Sequence, residues 1–313
     1  MELCTVRPGQ TYEPTVIALG NFDGVHLGHQ KLLKFGLDQA KKLNVGLSVL
    51  LFNPHPLKII HPERKLHLLT GTKERLRIFE ELGINKVYFL TFTPELANTS
   101  PRDFVREVLL KLGVLHVVVG FNYSFGYKGQ GTPNDLEVFG KEYGFGVTIV
   151  QAQKLEDKVI SSTEIRKYLI NGEIDLAKKM MGRSPTLSGI VVHGDGRGRK
   201  LGFPTANLKV EDDLLIPKNG VYAVSSVIDG KKYGGMMNIG VRPTFLADSE
   251  KTIEIYFFGW QDNLYGRELT VSLEARLRPE RKFGSQEEII AQLKKDQEQA
   301  LQILKNTQIF LPS

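Results

Sequence analysis

Between Thr15 and Val150 short apolar runs alternate with amphipathic segments, and no other property of the chain limits its fold so tightly. Strands are expected at 16–19, 47–52, 86–90, 115–119 and 147–150, with helices between them at about 30–43, 73–82, 101–112 and 135–143. Alternation of this kind predicts a parallel sheet covered on both faces. The third helix is clearly punctuated: Ser100 can cap it, Pro101 suits its first position, Asp103 sits in the first turn and Gly113 follows the end. After the second strand comes Phe52-Asn53-Pro54-His55-Pro56, where two prolines are expected to hold the chain extended and stop any helix.

The rhythm changes downstream. A helical connector is expected over 172–185, and from Leu187 to about Leu277 short β-rich runs follow one another with no helix between them. Turn signals such as Asp229-Gly230 separate the runs, which predicts an antiparallel barrel or sandwich. Ser285 followed three residues later by Glu288 has the spacing of a capping box and opens a last helix, expected to pack on the barrel. At 313 residues two domains are the natural division, 1–184 and 185–313. No apolar run approaches the roughly 18 residues that cross a bilayer, and the first residues lack an apolar signal core, so the expected location is the cytoplasm, with no membrane partner. The +6 balance comes from basic residues scattered among acidic ones, which suits a protein that handles anionic nucleotides or simply stays soluble rather than one that binds nucleic acid.

The first strand runs into Gly20-Asn21-Phe22-Asp23-Gly24 and then His26-Leu27-Gly28-His29, where a helical pattern starts. Unpartnered N–H groups at a helix start carry partial positive charge, so a strand, a glycine turn and a helix start form a phosphate site. Gly28 would let the backbone approach a ligand, and His26 and His29 project from one side. In such sheets ligands bind beyond the carboxyl ends of the strands. On that rim also lies Gly120-Phe121-Asn122-Tyr123-Ser124-Phe125-Gly126, either a binding loop or an ordinary loop with its rings tucked in. Ser162 and Thr163 open a further helix as simple caps or, with Arg166, as phosphate ligands.

In the second half, His193 to Asn207 carries four glycines and three basic residues without the Gly-Lys-Ser/Thr of a Walker loop. It is a phosphate flap or a flexible basic turn. Thr205 and Asn207, two apart on an expected strand, point to one face and offer neutral oxygens of the kind Mg²⁺ accepts beside phosphate. Glu254 interrupts an apolar, aromatic strand, either facing solvent or acting inward as a general base.

These motifs together resemble the prokaryotic bifunctional riboflavin kinase / FAD synthetase (FMN adenylyltransferase) family. The likeness rests on GNFDGVHLGHQ, FNPHP, VVGFNYSFG and ISSTEIR in the first half, and on GRKLGFPTANL, NGVYAV, NIGVRPTF, LYGRELTV and LRPERKF in the second. The resemblance implies a Rossmann-like nucleotidyltransferase domain followed by a β-barrel kinase domain with a terminal helix. It implies an enzyme that makes FMN from riboflavin and MgATP in the C-terminal domain, then FAD and pyrophosphate from FMN and MgATP in the N-terminal one. Carried over, His26, His29 and Arg166 would act on the ATP phosphates, with Gly20, Asn21, Phe22, Asp23, Gly28, Asn122, Ser162 and Thr163 completing that site. In the kinase half, Gly194, Gly202, Pro204, Thr205 and Asn207 would hold ATP, Thr205 and Asn207 with Mg²⁺. Glu254 would take the proton of the riboflavin 5′-hydroxyl, and Arg242, Pro243, Thr244, Arg278 and Phe283 would lie near the flavin. The implied partners are ATP, riboflavin and FMN, and an oligomer is left open. From the residues alone, another nucleotidyltransferase or a nucleotide- or flavin-binding module without turnover also stays open.

Overall fold

The computed structural model describes residues 1–7, 10–194, 196–241 and 251–305. The chain divides into two compact units, Met1–Leu66 with Thr72–Ser161, and His67–Gly71 with Ser162–Ser313.

The first unit is built on β1 (Glu2–Thr5), β2 (Thr15–Leu19), β3 (Gly46–Asn53), β4 (Lys86–Thr91), β5 (Val114–Gly120) and β6 (Gly146–Val150). All pair in parallel, in the order β1-β4-β3-β2-β5-β6. Around them run α1 (Leu27–Leu43), α2 (Pro56–Ile60), α3 (Thr72–Glu81), α4 (Pro94–Ala97), α5 (Pro101–Phe104) and α6 (Pro133–Tyr143), and a short hairpin of β7 (Lys154–Leu155) and β8 (Lys158–Val159) closes the unit. Side chains alternate across the sheet. Val16 and Ala18 of β2 join one core layer with Leu33 of α1 and Phe79 of α3, while Ile17 and Leu19 join the other with Phe104, Leu109 and Leu136. Both faces are buried, as a parallel sheet requires. The strand order reverses between β2 and β5, and a crevice opens at the carboxyl ends of strands where that happens. The turn after β2 and the loop after β5 both leave from this point.

Three local expectations need correction. Pro56 does not block a helix but begins α2, with His55 capping it through a bond from the Leu57 N–H (3.2 Å); at the first helical position the missing N–H of proline costs nothing. The third helix starts at Pro101 as read, then widens into a π-type turn over Val105–Leu109. The edge strand β1 was not anticipated, because four largely exposed residues give no apolar signal.

The second unit begins with α7 (Ser162–Asn171) and α8 (Ile174–Met181) and continues into a closed antiparallel barrel. Its strands are β9 (Thr186–Val192), β10 (Ala206–Val210), β11 (Gly220–Ile228), β12 (Lys231–Val241), β13 (Lys251–Phe257) and β14 (Glu268–Arg278), with one helical turn, α9 (Arg197–Lys200), and the terminal α10 (Gln286–Leu304). The barrel order is β10-β13-β12-β11-β14-β9. Tyr222, Met237 and Ile255, paired across β11, β12 and β13, are fully buried and fill its interior. Ala223, Met236 and Tyr256 take the opposite face and pack with Ala300 and Leu304, so α10 covers the outer wall. The Ser285 hydroxyl accepts from the Glu288 N–H as expected, but the Glu288 carboxylate accepts from Gly284 rather than from Ser285, which makes the box one residue longer than the standard form.

Glu274 ties α8 to the barrel. It is buried, and it accepts from Lys178 Nζ (3.1 Å), Ser184 Oγ (2.7 Å) and Ser225 Oγ (2.8 Å). Burial alone would raise its pKa, but these hydrogen bonds and the Lys178 charge outweigh it and hold the carboxyl below the usual glutamate value.

Candidate active sites

In the first unit the chain leaves β2 through a turn of unusual backbone. Phe22, Gly24 and Val25 all have positive φ (49°, 80° and 34°), and Phe22 and Val25 adopt it because both are fully buried in the core that packs around them. His26 then caps α1: its Nδ1 accepts from the His29 N–H at 3.3 Å. An acceptor at Nδ1 puts the proton of the neutral ring on Nε2. The two imidazoles stack, with centroids 3.7 Å apart and 16° between planes, and His26 is buried. A Cβ at Gly28 would lie 3.2 Å from the His26 ring, so this glycine makes room first of all for the histidine.

Behind the turn lies a residue that motif reading passed over. Arg75 of α3 is buried, donates to the Asn21 carbonyl at 2.8 Å, and faces the buried Asp23. Burial lowers its pKa and Asp23 works against that. A single arginine in a helix with several charged residues carries no signal; only the fold shows that it braces the turn after β2. After β5, Tyr123 and Phe125 pack together (5.9 Å, 14°) against the core, and burial pushes the Tyr123 phenol up. Phe121 and Asn122 remain exposed at the rim, so this loop is partly tucked in and partly open. Ser162, Thr163 and Arg166 open α7 in the second unit, where Arg166 Nε donates to the His67 carbonyl at 2.9 Å.

The barrel site is organised by strand register. Val192, Asn207, Glu254, Asn238, Val221 and Arg278 are successive cross-strand partners around the barrel. Partners in a ladder point to the same side, so Asn207, Glu254, Asn238 and Arg278 stand in one row on the outer wall, the side that α10 covers. Glu254 is therefore neither out in solvent nor inside the barrel. Asn238 was not singled out from the sequence, although an amide among the apolar residues of β12 is the kind of signal that marks such a row.

Two cavities meet at Thr205, and most of the row lines the smaller of them. One of about 250 Å³ is lined by Glu254, Asn238, Tyr256, Arg278, Phe283 and Leu293, among others. A second of about 650 Å³ is lined by Arg199, Pro204, Trp260, Asp262, Asn263 and Tyr265, among others. Thr205 lines both, and its hydroxyl lies 3.4 Å from Glu254 Oε2. Thr205 immediately precedes β10 rather than lying within it. Gly194 crosses directly over Asn207: a Cβ there would come within 2.0 Å of the amide Nδ2. Gly202 has φ +83°, which only glycine adopts without strain. Between these two glycines α9 forms, and Gly194 and Gly202 bring the chain close to Asn207 and turn it toward β10. Arg242, Pro243 and Thr244 lie outside the described residues.

A parallel sheet with a histidine-bearing strand–helix turn at its switch point, joined in sequence to a barrel with two abutting cavities and a shared hydroxyl, defines a two-part phosphate-transfer enzyme. The comparisons give the class a particular identity. Residues 9–164 match the FAD synthetase family and residues 181–304 the riboflavin kinase family. The bifunctional riboflavin kinase/FMN adenylyltransferase of Listeria monocytogenes is 42% identical over 90% of both chains, and that of Bacillus subtilis 37% identical over 93% of both. A solved Streptococcus pneumoniae structure, described as a macrolide-efflux protein, superposes with a TM-score of 0.87 at 31% identity, covering 95% of this chain and 98% of that one. Among the described residues no helix is long and apolar enough to cross a membrane. The chain belongs to the bifunctional riboflavin kinase/FMN adenylyltransferase family. It is an enzyme with both activities, FAD synthetase in its N-terminal part and riboflavin kinase in its C-terminal part, and ATP and flavins are its substrates.

Proposed function

We propose that riboflavin is phosphorylated at the row of residues on the barrel wall, within a kinase domain of residues 185–313, and that the product is adenylylated at the β2–α1 turn, within residues 1–184. The observation that carries the first half is the position of Thr205, which lines both cavities beside Glu254. The smaller cavity takes the flavin against Arg278 and Phe283, and the larger takes ATP, so the γ-phosphate and the 5′-hydroxyl meet at the shared hydroxyl. Glu254 accepts the proton of that hydroxyl as it attacks, a general-base role worth roughly 10²–10⁴-fold.

The donors beside it suit Mg²⁺: the Thr205 hydroxyl and the Asn207 amide both offer hard oxygen of the kind that ion accepts beside phosphate. Thr205 and Asn207 would hold it, and when bound it neutralises charge on the phosphoryl group in transfer. Gly194, Gly202 and Pro204 shape the turn that covers the phosphates. Arg242, Pro243 and Thr244 are proposed flavin neighbours on the NIGVRPTF motif alone.

In the adenylylation step the FMN phosphate attacks the α-phosphate of ATP and pyrophosphate leaves, so the protein needs no covalent nucleophile. Gly20 to Asp23, Gly28 and Asn122 form the cradle, and His26 and His29 stabilise the charge that builds on the phosphates. Ser162, Thr163 and Arg166 complete the phosphate contacts, a role supported by the ISSTEIR motif. Substrates of this kind favour action in the cytoplasm.

Incubation with riboflavin, ATP and Mg²⁺, resolved by chromatography, should yield FMN first and FAD after it. Chelating the magnesium should stop both steps. If neither flavin product forms, the proposal fails; if FMN forms without Mg²⁺, the metal role of Thr205 and Asn207 fails with the rest intact.

A further inference from the structure

The cavity read above as the flavin site has a wall whose rigidity comes from outside it. Arg278 ends β14 and lines the cavity, but its guanidinium donors point away into the seam between the barrel and α10. Nε lies 3.0 Å from each carboxylate oxygen of Asp296, one terminal nitrogen donates to Oδ2 at 2.7 Å, and the other donates to the Pro279 carbonyl at 3.1 Å. Asp296 is 1% exposed, and Gln292, one turn earlier on α10, donates to its Oδ1 at 2.7 Å. All three guanidinium nitrogens therefore have partners within the protein, which fixes the plane of the group. The Phe283 ring packs at this cation, 5.8 Å from Arg278 Cζ, with Arg281 approaching the same ring at 4.6 Å.

A buried carboxylate is costly unless it is paired in good geometry, and here the geometry is bidentate. A staple for α10 alone could sit anywhere along the helix. This one lies beside Leu293, itself a cavity residue, and grips the arginine that forms the wall.

We propose that Asp296 is a positioning residue of the kinase site: acting through Arg278, it holds Phe283 in place so that riboflavin meets a preformed wall. The proposal rests on reading this cavity as the flavin site. A wall ordered in advance lowers the cost of binding rather than the chemical barrier. Its loss should therefore appear in riboflavin affinity and leave turnover at saturation nearly intact.

The test uses the full chain with Asp296→Asn, Gln292→Met and Phe283→Ala. Riboflavin affinity is read by flavin fluorescence, and kinase kcat and KM are measured separately for riboflavin and ATP. Asp296→Asn should raise the riboflavin KM and Kd about tenfold, the size expected for weakening a hydrogen bond between charged groups. Its kcat, its ATP KM and FAD formation from supplied FMN should stay within about twofold of the parent. An unchanged riboflavin KM, or a fall in kcat matched by a rise in the ATP KM, overturns the proposal. If Phe283→Ala also leaves riboflavin affinity unchanged, the flavin-site reading falls and takes the proposal with it. If Phe283→Ala weakens binding and Asp296→Asn does not, only the positioning role falls. Should Asp296→Asn fail to fold, Gln292→Met decides: a rise of about two- to threefold in riboflavin KM alone supports the clamp, and no rise overturns it.

Discussion

The two candidate sites are built by different means. At the β2–α1 turn the main chain shapes the site, through positive-φ residues and the start of a helix, and its two histidines stack on each other with His26 buried. On the barrel the row stands on ordinary strand, where register brings its side chains together, with Thr205 and the glycine-bearing segment before β10 beside it. A turn-built site shares its contacts among main-chain groups, so it should lose less from a change at a single side chain. A register-built site should be the reverse, with each member of the row carrying a separate task.

The most direct attempt to break this contrast is Glu254→Gln. If the row divides its labour, removing the base should cut riboflavin phosphorylation by roughly 10²–10⁴-fold, while FAD formation from supplied FMN is unchanged. Loss of both activities would show that the row does not belong to the kinase step alone. The matching change at the turn, His29→Ala, removes one charge-stabilising group and leaves the main-chain cradle. FAD formation should fall by roughly 10²–10³-fold, so that riboflavin and ATP yield FMN that accumulates. Unchanged FAD output would remove His29 from the proposed site.

How much of this could be read beforehand differs between the two sites for the same reason. The turn is local in sequence: Gly20 to His29 lie within ten residues, so apolar run, glycines and histidines announce the site together. The barrel row draws its four side chains from four strands, and only Thr205, just before β10, is a near neighbour of one of them in the chain. Glu254 could be noticed as a carboxylate in an apolar strand, but its face depended on the position of α10. Asn238 and Asp296 became meaningful only once register and packing were known. Arg75 was hidden differently, because a buried arginine and an exposed one look alike in a charged helix. In the same way, Pro56 reads as a breaker until the helix it begins is seen.

The same substitution made at both sites sharpens the comparison. Gly194→Ala would put a methyl group 2.0 Å from the Asn207 amide nitrogen, so the amide must swing aside, a movement of a side chain rather than of the backbone. Kinase kcat/KM should fall about 10- to 100-fold with little change in melting temperature, since a displaced ligand group is worth about one to two factors of ten. Gly28→Ala places its methyl 3.2 Å from the His26 ring, a gap that shifts of a few tenths of an ångström relieve. FAD formation should drop only about two- to threefold, while alanine slightly favours the helix. A larger effect at Gly28 than at Gly194, measured in parallel assays, would reverse the assignment of which site depends on its side chains.

The smallest expected effect concerns the sheet that carries the turn. His116 of β5 is half-buried against β6, its Nε2 2.8 Å from Thr148 Oγ1, over Gly146, where a Cβ would lie 2.3 Å from Nδ1. Burial, with a smaller contribution from Lys42, lowers its pKa from the ordinary 6.5. The folded ring takes up a proton less readily than the unfolded one, so stability is fully present above pH 6.5 and declines as the pH falls below it through the folded value. His116→Gln should remove that part of the acid-side loss and leave the neutral-pH melting temperature nearly unchanged. Solvent on the open side keeps the contribution below about 1 kcal/mol, or a shift of about 2–4 °C at most for a unit of this size. Parallel melting curves between about pH 7.5 and pH 5.5 measure the difference, and identical slopes for the parent and variant would mean that the folded and unfolded histidines bind protons equally well.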